Sequence, residues 1–297
     1  MNPYLFPFFA VSIWAFNTIV SKLSVGVVNA EAMAFYRWFF AFLVLTPFVI
    51  RGIRQEIPFL RTHFWKVAVL GFLRIVLYQS IIYYAVQMVP ATTLAIFGGL
   101  VPILILLFGT FLLRTPVTIW LISGFLLAFL GVIYLSTKGE LSNLIALEGH
   151  KGEFLLLISS SAYALYTVLV KRWSLEINTW NFLYLQIGIG LVILFPFFIY
   201  QGHYALSFNA AGLIAYAAIP ASLIAPYLWL RGVAQIGANR SALFLNLTPL
   251  LTITLAILIL QEPIDRYLLI GGGLILLGIA TTFIPNRQAT KAGKITV

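Results

Sequence analysis

Apolar residues run through this chain in long continuous stretches rather than in alternation or in a single stripe. Ten such stretches lie at roughly 5–23, 32–50, 67–87, 91–113, 117–136, 154–170, 179–200, 211–230, 241–260 and 267–284. A helix needs about 20 apolar residues to cross the hydrocarbon core. Membrane β-strands would instead alternate in segments of about ten residues. The pattern therefore predicts an all-α integral membrane protein with ten transmembrane helices. The two longest polar connections, Thr137 to Lys151 and Arg51 to Lys66, read as an outer-face linker and a cytoplasmic loop. The first positive side chain is Lys22 and no small-residue cleavage pattern follows the first run, which is expected to be a retained span rather than a signal.

Two stretches fall into register when one is slid along the other. At an offset of 147, Pro102 meets Pro249, Pro116 meets Pro263, Gly124 meets Gly271 and Gly131 meets Gly278. At 149, Ser12 meets Ser161, Ala15 meets Ala164, Thr18 meets Thr167, Lys22 meets Lys171 and Pro47 meets Pro196. Proline and glycine fix backbone shape, so their repetition implies a repeated fold unit. Each half holds five spans, and two copies of an odd-span unit must insert with opposite polarity. The expectation is two inverted five-helix repeats, 4–136 and 152–284, joined by a linker at 137–151 and followed by a cytoplasmic tail at 285–297. That is the layout of a secondary transporter.

Composition agrees: 62% of residues are hydrophobic and 9% charged, against roughly 25% charged in soluble domains. The net charge of +10 would suggest nucleic acid in a soluble protein, but its distribution follows the positive-inside rule. With the N-terminus inside, Arg51, Arg54, Arg61, Lys66, Arg114, Lys171, Arg172, Arg231, Arg240, Arg287, Lys291 and Lys294 collect on the cytoplasmic side. Only Lys22, Lys138, Lys151 and Arg266 fall outside. Both termini are expected in the cytoplasm, with the lipid bilayer as partner and no nucleic acid. There are no cysteines, and His63, His150 and His203 fall in predicted loops, so no metal or other cofactor is expected. The short connections leave no room for a soluble catalytic module. An integral membrane enzyme would need clustered Asp, His or Cys at a membrane face, and a non-transporting scaffold or sensor would have a filled, apolar centre.

Several motifs resemble a known family. Ser12-Ile-Trp-Ala-Phe-Asn-Thr-Ile-Val-Ser-Lys22 resembles the Trp-x-x-Asn…Lys opening of EamA-type members of the drug/metabolite transporter superfamily. Phe35-Tyr-Arg-Trp-Phe-Phe-Ala41 resembles that family's Arg-Phe-x-x-Ala. Val89-Pro-Ala91 through Pro102, and Ile236-Gly-Ala-Asn-Arg-Ser-Ala242 through Pro249, look like its paired Ala-rich starts of spans four and nine. Gln261-Glu-Pro263 is similar to its Leu-x-Glu-x ending; in the first half Arg114-Thr-Pro116 stands there and the acid is missing. The resemblance covers residues 4–284. It implies ten spans, inverted repeats, a central cavity and transport of small metabolites or drugs, often outward, across the inner membrane.

Polar side chains deep in a bilayer are expensive and become site candidates by default. Trp14, Asn17 and Thr18 share one stripe of the first span with Ser21, and Tyr163, Tyr166 and Thr167 share one on the sixth with Ser160. Arg74 is the sharpest candidate. With the third span starting near Val67, it sits roughly 10 Å inside the helix end, where an arginine costs about 2.5–3.5 kcal/mol on insertion scales. Tyr78 shares its face, while Gln79 and Tyr83 form a neighbouring stripe. Arg37, about two turns into span two, either lines the cavity or snorkels to the headgroups. Tyr227 beside Pro226, and Asn246 before Pro249, are expected to line the cavity from spans eight and nine. Aromatic walls with a fixed cation suit an amphipathic amino acid or an organic anion. The oligomeric state is open, and a monomer suffices. No Asp or Glu lies inside a span and no Gly-x-x-x-x-Gly-Lys loop is present, which favours facilitated diffusion or exchange over proton antiport or ATP drive. An imposed proton gradient should leave uptake by proteoliposomes little changed; strong acceleration would refute this.

Overall fold

The computed structural model describes residues 2–114, 118–140, 150–202, 207–237, 241, 244–245 and 247–282, and every regular element among them is helical. Seven helices are long and apolar enough to cross a membrane: α1 (Leu5–Leu23), α2 (Ala30–Gln55), α3 (Ile57–Ala85), α4 (Ala91–Leu112), α6 (Lys151–Trp173), α7 (Thr179–Gln201) and α8 (Phe208–Ile236). Three shorter apolar helices are α5 (Ile119–Ser136), α9 (Leu247–Leu260) and α10 (Arg266–Thr282). Helix is the form that satisfies each backbone group within its own segment, which lipid demands. Sequence sets the ends: Thr118, Asn178 and Ser207 accept backbone N–H bonds at the starts of α5, α7 and α8. Gly202 and Gly237, at φ 67° and 84°, follow α7 and α8.

One expected boundary is wrong. The stretch Arg51 to Lys66 is not a loop: α2 runs to Gln55 and α3 starts at Ile57. Its charged residues lie on helical extensions past the apolar run, which hydropathy alone does not register. Arg74 is therefore seventeen residues beyond the start of α3 and eleven before its end. At 1.5 Å per residue that is about 17 Å from Ala85, near the middle of a ~30 Å hydrocarbon core.

Both α3 and α8 widen into π-helix, at Phe72–Ser80 and Ala217–Ile224. In α8 the cause is Pro220, which has no N–H to give to the ladder and crowds the preceding turn. In each segment a serine hydroxyl donates to the carbonyl five residues back, Ser222 to Ala217 at 2.8 Å and Ser80 to Ile75 at 3.4 Å. Shifted by 147, the α3 segment overlaps the α8 segment.

Helices meet where side chains are small, as expected without a hydrophobic drive between helices in lipid. A Cβ added at Gly278 would sit 2.5 Å from the Gly124 carbonyl oxygen, and one at Gly131 would sit 2.7 Å from that of Gly271. These contacts run α5 and α10 antiparallel, and the 147-residue shift turns each contact into the other. Helices α2 and α7 also pack antiparallel, with Phe35 stacked on Phe198 at 4.4 Å and Phe42 on Tyr184 at 4.2 Å. An amide–carboxylate bond closes each end, Gln201 to Glu31 at 2.9 Å and Asn181 to Glu56 at 3.2 Å. Helix α1 packs on α8, as its sequence counterpart α6 packs on α3.

Lys22 donates to the Val86 and Val89 carbonyls, both at 2.8 Å, at the C-terminal end of α3. Glu262 accepts from the Ala91 and Thr92 amides at 2.7 and 2.9 Å, at the start of α4. Cation at a helix C-terminus and anion at an N-terminus match both macrodipoles, holding this turn against α1 and the segment after α9. Gly278→Val should lower the melting temperature of the purified protein, by an overpacking cost of about 1–3 kcal/mol. Gly98→Ala, where an added Cβ meets nothing within 4 Å, should leave it unchanged or slightly raised.

Candidate binding site

Two arginines lie among the helices, and tyrosines surround both. Arg74, in the π segment of α3, donates to the Tyr166 hydroxyl of α6 at 3.2 Å, with its guanidinium carbon 5.5 Å from that ring's centre. Tyr163 stands between Tyr166 and Tyr78, with ring centres at 5.8 and 4.6 Å. Ser159 of α6 donates to the Tyr78 carbonyl at 2.9 Å, pinning the two helices beside the rings. Arg74, Tyr78 and Tyr163 are each partly buried.

Arg37 of α2 does not snorkel. It is 4% exposed, donating from Nε to Ser222 of α8 at 2.8 Å and from Nη1 to the Tyr83 hydroxyl of α3 at 3.0 Å. Snorkelling fails because the side chain points at the α8 π segment, where a polar acceptor waits. Tyr78 lies in the electrostatic reach of both guanidinium groups. Among the described residues, no carboxylate is bonded to either arginine.

The other candidates divide. Trp14 donates to the Ala221 carbonyl of α8 at 3.2 Å and faces Trp229 at 5.8 Å. Thr18 and Thr167 turn their hydroxyls back to their own helices, to Trp14 O at 3.5 Å and Tyr163 O at 2.9 Å. Asn17 has a buried Oδ1 with no partner, and Gln79 is buried. Tyr227 does not join the cluster: it is 40% exposed, stacks on Trp180 at 6.2 Å and accepts from Arg231 Nε at 3.0 Å. Asn246 lies outside the described residues. Sequence reasoning missed Ser222, since one serine in an apolar helix carries no signal. It also missed Gln186 of α7, buried with both amide atoms unpaired. A separate groove of about 370 Å³ opens on the flank of α3, α4 and α6, lined by Leu73, Leu77, Phe108 and Leu165; it has no charged lining.

Comparison with known proteins agrees with this architecture. An uncharacterized transporter of Bacillus subtilis (strain 168), YyaM, is 25% identical over 88% of this chain and 87% of its own. A second from the same organism, YetK, is 26% identical over 97% of this chain and 88% of its own. A solved crystal structure superposes with a TM-score of 0.62 at 20% identity, covering 97% of this chain and 98% of that one, a likeness of fold alone. Residues 1–137 and 150–284 match the EamA-like transporter family, and the chain, a multi-pass membrane protein, belongs to that family.

Proposed function

We propose that the protein is a secondary transporter for small amphipathic organic anions, working by alternating access in the inner membrane as an exporter or exchanger. The observation that carries this reading is the pair of arginines, Arg74 and Arg37, each donating to a tyrosine hydroxyl, Tyr166 and Tyr83, with no bonded carboxylate among the described residues. A guanidinium binds a carboxylate with charge-assisted, bidentate geometry, and the rings of Tyr78, Tyr163 and Tyr166 offer a face for a flat apolar body. An amino acid carboxylate would fit the same cations, but nothing acidic is bonded there to receive its ammonium group, so a bare organic anion fits better. The remaining candidates, Trp14, Asn17, Thr18, Gln79 and Thr167, belong to the helices around this space and would line the path.

Ten membrane crossings in two inverted repeats underlie this reading. Their support is the exchange of glycine contacts between α5 and α10, the antiparallel α2–α7 pair and the matched π segments in α3 and α8. Cytoplasmic termini follow from the distribution of positive charge.

Counterflow in proteoliposomes, with benzoate, L-phenylalanine and the neutral benzamide as probes, tests the reading. Benzoate should exchange, L-phenylalanine should exchange more weakly and benzamide should not. Arg74→Gln should lower benzoate exchange about 100-fold, the worth of a buried charge-assisted pair. Equal exchange by the variant and the wild type, or no exchange of benzoate at all, would overturn the proposal.

A further inference from the structure

The second helix of each half packs on a π segment of the other half and carries a buried polar side chain near mid-helix. In α2 it is Arg37, which reaches Ser222 in the α8 segment. The residue 149 positions later, at the offset that relates Pro47 to Pro196, is Gln186 of α7. Its helix packs on the corresponding region of α3, where a Cβ added at Gly71 would be 3.0 Å from the Gln186 backbone carbonyl oxygen and Gly190, one turn on, packs against Ile75. Arg37 is partnered. Gln186 is 0% exposed, and neither its Nε2 nor its Oε1 has a hydrogen-bond partner. Exchanging the amide's oxygen and nitrogen changes nothing, because both positions are unpaired.

A buried amide left unsatisfied is strongly unfavourable, and a leucine of similar size would relieve it. A charged donor, Arg74, lies three residues along α3 from Gly71, in the π segment on which α7 packs. Its guanidinium makes one protein hydrogen bond, to Tyr166, and has further N–H donors to give. A π segment passes readily to α-helix, and that conversion turns the residues it carries about the helix axis. Arg74 is held on the α6 side by Tyr166, and α7 is another helix packed on this segment towards which such a turn would carry it.

Building on the anion-site reading of Arg74, we propose that Gln186 is a positioning residue: its Oε1 receives the Arg74 guanidinium at the other end of the transport cycle, drawing it off Tyr166 so that the bound anion is released. Gln186 touches no substrate in this scheme. It lets the cation alternate between two acceptors while staying buried, and the empty amide is what the partner-exchanged state leaves behind.

The test is a double-substitution cycle in benzoate counterflow, with melting temperatures measured on the same purified proteins. Gln186→Leu should melt about 2–4 °C higher, from removal of the orphan amide, and yet turn over roughly tenfold more slowly with little change in KM. Gln186→Asn should restore part of the rate, and Gln186→Glu, which offers Arg74 a permanent counter-charge, should raise KM for benzoate. Added to Arg74→Gln, Gln186→Leu should cost nothing further. Wild-type turnover in Gln186→Leu, with Arg74→Gln impaired, would sink the role of Gln186 and leave the anion site standing. Wild-type exchange in Arg74→Gln would sink both. Should Gln186→Leu not fold, Gln186→Ala, which also removes the amide, decides on the same rate and KM criteria.

Discussion

A guanidinium at mid-depth in a bilayer has to be solvated by something other than lipid, and the arrangement of this bundle follows from that requirement. Arg74 lies near the centre of α3, and Tyr166 supplies one acceptor. Arg37 meets Ser222 and Tyr83 in the same region. Hydroxyls are neutral, so they satisfy geometry without cancelling charge. Two cations beside tyrosines, with no bonded carboxylate among the described residues, are what the proposed anion site rests on. A permanent carboxylate partner would serve stability better and function worse, since it would compete with any cargo.

The helices around these residues are held in two ways. Close approach between small residues packs α5 on α10, while stacked aromatics pack α2 on α7. Both interfaces are antiparallel, and in the glycine interface the 147-residue shift maps one contact onto the other. The polar groups sit where regular helix gives way: Arg74 and Ser222 each occupy a π segment. Such segments release the backbone from a single register, and they are where a bundle can change shape without breaking its packed interfaces. The Lys22 and Glu262 ties fix the α3–α4 turn by contrast, matching one charge to each helix end.

Much of this was legible in the sequence, for physical reasons. The length of an apolar run is set by bilayer thickness, so α1 and α4 were readable almost to the residue. The start of α3 was not, because Ile57 to Lys66 carries charge on a helix that continues past the apolar run. Arg74 and its tyrosines were visible as costly residues in apolar surroundings. The burial of Arg37 was hidden, since the choice between snorkelling and inward bonding depends on where Ser222 of a distant helix falls. The outward position of Tyr227 was hidden for a related reason: composition beside Pro226 says nothing about which way a stripe faces. Gln186 did leave a signal, the same 149-residue offset that pairs the prolines, but an amide reads as unremarkable until its surroundings are seen to lack a partner.

The most direct measurement is a crystal structure with 4-bromobenzoate, in which anomalous scattering locates the bromine independently of any interpretation of side chains. The account predicts one strong peak against the rings of Tyr78, Tyr163 and Tyr166, with the carboxylate on Arg74. A peak confined to the lateral groove at Leu73 and Leu165, or a centre packed dry with Arg74 satisfied by protein alone, would contradict it.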